Sequence, residues 1–172
     1  MTKGRTNGAK IAVAMAVIAV LGAGCLKTEE FPTQPVITFK SFEVFPDSAS
    51  LTISFTDGDG DIGLDQGDTL APFNPPYDPD RPWYYNFFVD AYYLQNGVWQ
   101  DPGFVLPLYY RVPDITPTGQ NKALEGDIAV AINNAVLDGL QALGDTVKFE
   151  VRLADRARQM SNRVSSAAIV LP

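Results

Sequence analysis

From residue 51 the chain alternates. In LTISFT (51–56), Leu51, Ile53 and Phe55 fall on one face and Thr52, Ser54 and Thr56 on the other. TVKFEVRLAD (146–155) repeats the pattern, with Val147, Phe149, Val151 and Leu153 inward and Thr146, Lys148, Glu150 and Arg152 outward. A period of two marks half-buried antiparallel strands. Five more runs, at 35–45, 83–94, 104–112, 127–132 and 163–171, are rich in aromatic and β-branched residues and read as strands. Asn96-Gly97, between YYL and VWQ, is a tight hairpin signal. One stretch changes period. NAVLDGLQALGD (134–145) sets Val136, Leu137, Leu140 and Leu143 at helical intervals, with Gly144 placed to end the helix. About seven strands with turn signals between them, and one short helix before the penultimate strand, predict an all-β antiparallel sandwich.

The first 24 residues break with this pattern. They hold Lys3, Arg5 and Lys10, no acidic residue, and the apolar run IAVAMAVIAVLGAG, followed by Cys25. A basic start, a short apolar segment and small residues before a cleavage point make a secretory signal. The run falls short of the roughly 20 apolar residues of a spanning helix. Cys25 is the only cysteine of the chain, so no internal disulfide is available to it. LGAGC resembles the lipobox of bacterial lipoproteins, in which the cysteine is acylated and becomes the new N-terminus; Gly22 stands where that motif carries a large apolar residue. The resemblance implies a signal peptide over 1–24, a lipid anchor on Cys25, and a polar tether over 25–34. Within that tether Lys27-Thr28-Glu29-Glu30 resembles the acidic export signal of surface-exposed lipoproteins of the Bacteroidetes. The implied location is the outer membrane, exposed at the cell surface, with its periplasmic face as the alternative.

After residue 24, acidic residues outnumber basic ones two to one. This excludes a nucleic-acid partner, whose phosphates require a basic face. It also leaves acyl chains, not charge, to attach the protein to a membrane.

FEVRLADRARQMSNRVSS (149–166) resembles the closing strands of bacterial immunoglobulin-like domains, on Asp155, Arg156, Ala157, Ser161 and Asn162. The glycine usual in that turn is absent, and Arg158, Gln159 and Met160 occupy it. The chain from residue 25 onward also resembles Bacteroidetes lipoproteins that carry FTDGDGDIG after an early strand and DR…SN near the end. The resemblance implies an Ig-like β-sandwich over 35–172 and a membrane location, and it carries no activity.

FTDGDGDIGLDQGD (55–68) holds the densest charge. Counted from Asp57, carboxylates fall at positions 1, 3, 5, 9 and 12: Asp57, Asp59, Asp61, Asp65 and Asp68. An EF-hand loop draws oxygens from positions 1, 3, 5, 7, 9 and 12, because Ca²⁺ takes six to eight of them. Gly58 and Gly60 let the backbone curl. Ile62 at position 6 and the short Asp68 at position 12 depart from a true EF-hand, and a strand precedes the loop instead of a helix. The expectation is an EF-like loop binding Ca²⁺ through Asp57, Asp59 and Asp61, with Asp65 or Asp68 closing the shell. The alternative is a solvated Asp/Gly turn. In an Ig-like sandwich the turn at Asp155 and Arg156 lies at the same end. Asp155 then either completes the ion's shell or bonds backbone in its own turn, and Arg156 can pair with a carboxylate.

WYYNFFVDAYYL (83–94) carries seven aromatics. In alternation Tyr84, Phe88 and Tyr92 share a face with Asn86 and Asp90. With Trp99, those rings form either an exposed platform that stacks sugars or ordinary packing. Catalysis has little to draw on. The chain has no histidine, which removes His-based triads and most zinc sites. No glycine loop cradles phosphate, and no carboxylate pair is singled out by spacing. The expected role is structural or protein-interacting and non-enzymatic, with glycan binding for nutrient uptake as the alternative.

Overall fold

The computed structural model describes residues 30–74, 82–119 and 122–172. The signal segment 1–24, Cys25 and the first residues of the tether lie outside the described residues. Two antiparallel sheets pack face to face. The first has the order β1 (Val36–Val44), β2 (Ser48–Asp57), β6 (Leu124–Asn133). The second is built on β3 (Phe87–Gln95) and β7 (Thr146–Leu153). The short strands β4 (Val98–Gln100) and β5 (Leu108–Tyr110) pair with β3, while β8 (Val164–Ser165) and β9 (Ile169–Val170) pair with β7. The first two strands lie in one sheet and the third crosses to the other, as in immunoglobulin-type sandwiches.

The period-two rows meet in the core. Ala49, Leu51, Ile53 and Phe55 of β2, with Ile128, Val130 and Ile132 of β6, face Phe87, Val89 and Ala91 of β3 and Val147, Phe149, Val151 and Leu153 of β7. The helix α1 (Asn134–Leu143) closes one end with Leu137 and Leu140. Asn133 caps it, its side chain accepting the Val136 N–H at 3.1 Å. Gly144 ends it, donating to Leu140 O at 2.9 Å. Its backbone is extended, and glycine serves there for space, since a Cβ would lie 3.0 Å from Leu94 O. Asn96 and Gly97 turn the β3–β4 hairpin with φ of 52° and 78°, the sign a two-residue turn requires.

The opposite end is closed by the chain that follows β2. Ile62 and Leu64 point into the core, and Leu64 donates its N–H to Val112 O at 3.0 Å. The buried amide of Asn86 holds that support in place. Its Oδ1 accepts the Val112 N–H at 2.6 Å and its Nδ2 donates to Val112 O at 3.1 Å.

Three predicted strands are shorter than the sequence suggests. The 83–94 run begins its strand only at Phe87, because Pro82–Tyr84 is a 3-10 turn. Of 104–112, only Leu108–Tyr110 pairs. The 163–171 run divides into two short strands around Ser166, whose hydroxyl accepts the Phe149 N–H at 3.0 Å in place of a backbone partner.

Candidate metal centre

The inward rows do not stop at their last apolar residue. One step of two past Phe55 is Asp57, and one step past Leu153 is Asp155. Both therefore arrive in the interior, with 0% and 2% of their surface exposed. One comes from each sheet, at the same end of the sandwich. An antiparallel bridge between Ile62 and Asp155 places the two segments side by side.

After Asp57 the chain curls through Gly60 at φ 64° and Gly63 at φ 107°, a region closed to most side chains. The curl turns Asp59 and Asp61 back toward Asp57. One carboxylate oxygen from each of Asp57, Asp59 and Asp61 lies within 4.8 Å of the other two. Opposite ligands around a Ca²⁺-sized ion stand about 4.8 Å apart, twice a metal–oxygen distance of ~2.4 Å, so this spacing fits within one shell. The three carboxylates can hold a metal ion.

Hydrogen bonds fix three of these carboxylates by one oxygen each. Asp57 Oδ2 accepts the Asp61 N–H at 3.0 Å, Asp61 Oδ2 accepts the Ala157 N–H at 3.0 Å, and Asp155 Oδ1 accepts the Gln159 N–H at 2.7 Å. The Arg156 N–H donates to Asp61 O at 3.0 Å, tying the two segments together by backbone. Asp57 Oδ1, Asp59 Oδ1, Asp61 Oδ1 and Asp155 Oδ2 are then left buried with no hydrogen-bond partner. A buried polar atom without a partner is costly, and a buried charge more so.

The electrostatics agree. Burial, then the charge of Asp59 and those of Asp61 and Asp155, push the Asp57 carboxyl up to about 7. Asp155 rises to about 6, by burial first and then by the charges of Asp61 and Asp59. Asp61 is raised by burial and by Asp59. The nearby guanidinium does not relieve them. Arg156 points to Asp68 at 2.6 Å and to Asp114 at 3.9 Å.

Asp65 and Asp68 are not brought into this cluster. With Ile62 and Leu64 drawn into the core, the chain turns away after Asp61. Asp65 Oδ1 accepts the Gly67 N–H at 2.6 Å and Asp68 Oδ2 the Asp65 N–H at 2.8 Å, a self-contained turn. Arg111 secures that turn by donating to Asp65 O and Asp68 O at 2.8 and 3.1 Å. Asp155 lies outside that three-carboxylate group but close beside it, bridged to Ile62 and coupled by charge to Asp57, Asp59 and Asp61. It bonds its own turn with one oxygen, and the other is buried without a hydrogen-bond partner. The departure from an EF-hand at Ile62 has a structural reason as well, because that side chain is a fully buried plug. Arg158, in the turn after Asp155, takes the left-handed conformation at φ 69°.

The four aromatic candidates do not form one exposed row. Phe88 is 2% exposed, packed edge-on against Tyr109 at 5.0 Å and covered by Arg152 at 5.8 Å. Tyr84 sits in the 3-10 turn against Tyr85 and under Arg111. Tyr92 and Trp99 are together, with Lys148 Nζ 4.8 Å from one ring and 5.4 Å from the other. Their faces are engaged by a cation of the same chain.

Comparisons with protein-family models, with curated proteins and with solved structures return no match to this chain.

Proposed function

We propose that this chain is an acylated, surface-displayed lipoprotein whose β-sandwich is held together at one end by a single Ca²⁺ ion. It serves as a structural or protein-interaction module. The observation that supports the ion is the set of four buried, unpartnered carboxylate oxygens, contributed by segments that continue one strand of each sheet. All donors are hard oxygens, which suits Ca²⁺ and Mg²⁺ and not the nitrogen and sulfur preference of zinc. Ca²⁺ fits better, because Mg²⁺ demands a tight octahedron and keeps several of its waters. The ion neutralises carboxylates that otherwise repel across the seam between the sheets.

The anchor rests on the basic start, the short apolar run and the sole cysteine at its end. Among the described residues no helix is long and apolar enough to cross a membrane. Acyl chains on Cys25 supply the attachment in this reading.

Thermal melting in Ca²⁺ and in chelator tests the reading. A ligand bound only by the folded state stabilises by about 2.7 kcal/mol at a hundredfold excess over its Kd. For a domain of this size that raises Tm by several degrees. Mg²⁺ raises it less, and Asp59→Asn with Asp61→Asn removes the rise while leaving a folded protein. An unchanged Tm in millimolar Ca²⁺ contradicts the metal site. For the anchor, Cys25→Ala releases the protein from the membrane fraction or leaves a longer precursor, and an unchanged membrane fraction contradicts it.

A further inference from the structure

The acidic site is surrounded by more chain than its carboxylates require. Gly58 stands between Asp57 and Asp59 and donates its N–H to Pro32 O at 2.8 Å. Its φ lies outside the left-handed region, so conformation does not demand glycine there. Space does. A Cβ on Gly58 would lie 2.1 Å from Phe31 O and 2.9 Å from the carbonyl carbon of Pro32. The segment that leads into β1 is therefore laid directly across the backbone of the acidic loop.

The same segment is held from the other side. Gln34 Nε2 donates to Met160 O at 2.6 Å. The Asn162 side chain makes both backbone bonds with Ile37, accepting its N–H at 2.8 Å and donating to its carbonyl at 2.9 Å. Met160 and Asn162 belong to the turn that begins at Asp155. Residues 31–37 thus bridge the two arms of the acidic site, one arm through Gly58 and the other through residues 160–162. Pro35, midway, is buried between them.

We propose that the cation site is also a clamp on the N-terminal segment: occupancy fixes the spacing of the two arms and thereby docks residues 31–37. This rests on the Ca²⁺ reading above. Its physical basis is linkage. Docking requires Gly58 and the 160–162 turn at one fixed separation. The carboxylates of Asp57, Asp59, Asp61 and Asp155 oppose that closeness when no cation neutralises them. A ligand that stabilises one arrangement of the arms favours everything else that needs it, and the effect is reciprocal. For a domain tethered at its N-terminus, the consequence is reach and orientation. With the segment docked, free tether ends before Phe31 and the sandwich leaves it in one direction. With the segment released, the tether gains the length of residues 31–35 and loses that direction.

Hydrogen exchange on the full-length chain in detergent solution, in millimolar Ca²⁺ and in chelator, tests this, with Ca²⁺ binding followed in parallel by calorimetry. Ca²⁺ should slow exchange in peptides covering residues 31–38 by about tenfold or more, together with those covering 57–61. Reciprocity adds a second outcome. Asn162→Ala loosens the segment without touching a ligand, and should weaken Ca²⁺ affinity by about fivefold or more. Gln34→Ala, at an exposed side chain, should weaken it in the same direction and keeps the test valid should Asn162→Ala fail to fold. Ca²⁺ binding with protection at 57–61 but unchanged exchange at 31–38, or unaltered affinity in both variants, overturns the clamp and leaves the metal site standing. No Ca²⁺ binding at all overturns the metal site, and the clamp with it.

Discussion

Asp57 and Asp155 each occupy the place where an inward-facing row calls for another apolar residue. Their burial is thus a consequence of strand period, and their charge is the anomaly. Without a cation each is protonated more readily in the folded than in the unfolded chain, whose Asp carboxyls titrate near 3.8. A raised folded-state pKa contributes stability that is complete below the unfolded value and is lost as pH rises through the folded values, here about 6 and about 7. Metal-stripped protein should therefore melt at a lower temperature at about pH 8 than at about pH 5, and Ca²⁺ should shrink or reverse that difference by displacing the protons. Above pH 5 the opposing effect of Glu150 is absent, because its carboxyl is held below its usual range by Lys148 and Arg163. A metal-free Tm that climbs steadily from pH 5 to pH 8 contradicts this assignment. Asp57, Asp59 and Asp61 were legible in the sequence from their alternate spacing. Asp155 was legible only as a neighbour, because local turn chemistry explains an aspartate equally well. Carrying the period of two one step past Leu153 is the signal that separates the two roles.

At the scale of elements, the long strands were readable because both of their faces have a decided character. Strands β2 and β7 alternate without interruption from surface to core. The aromatic run at 83–94 was harder to place, since tyrosine and phenylalanine suit a core, a surface and a turn alike. What divides it is Asn86, whose amide is committed to Val112 and whose role depends on a residue far along the chain. Between the two alternatives for Tyr84, Phe88 and Tyr92, packing holds at Phe88 for a similar reason, as Tyr109 and Arg152 cover it from other strands. The acidic loop carries its own test. Gly60 has φ 64°, and a Cβ there would lie 1.7 Å from Lys122 O, whereas Gly97 has φ 78° with open space around it. Gly97→Ala should cost about 1 kcal/mol from backbone conformation alone, and Gly60→Ala at least about 2 kcal/mol because the Lys122 segment must also move. Urea denaturation measures both, and equal costs contradict the packing of the loop against residue 122.

Over the whole molecule the two ends of the sandwich are closed by different means. At one end α1 inserts Leu137 and Leu140, an apolar plug that forms without any ligand. At the other, Ile62 and Leu64 lie buried beneath the carboxylates of Asp57, Asp59 and Asp61, with Asp155 of the facing sheet's chain beside them. The fold was legible as a sandwich because strand period and turn chemistry are local signals. The joining of residues 57–61 to residue 155 was not, because it depends on how the sheets stack. Calorimetric titration of the full-length chain with Ca²⁺ examines that joining most directly. One ion should bind per chain, Asp155→Asn should weaken binding by at least about tenfold, and Asp65→Asn should leave it unchanged. Absence of binding at millimolar Ca²⁺, or undiminished affinity in Asp155→Asn, would contradict a cation shared between the two sheets.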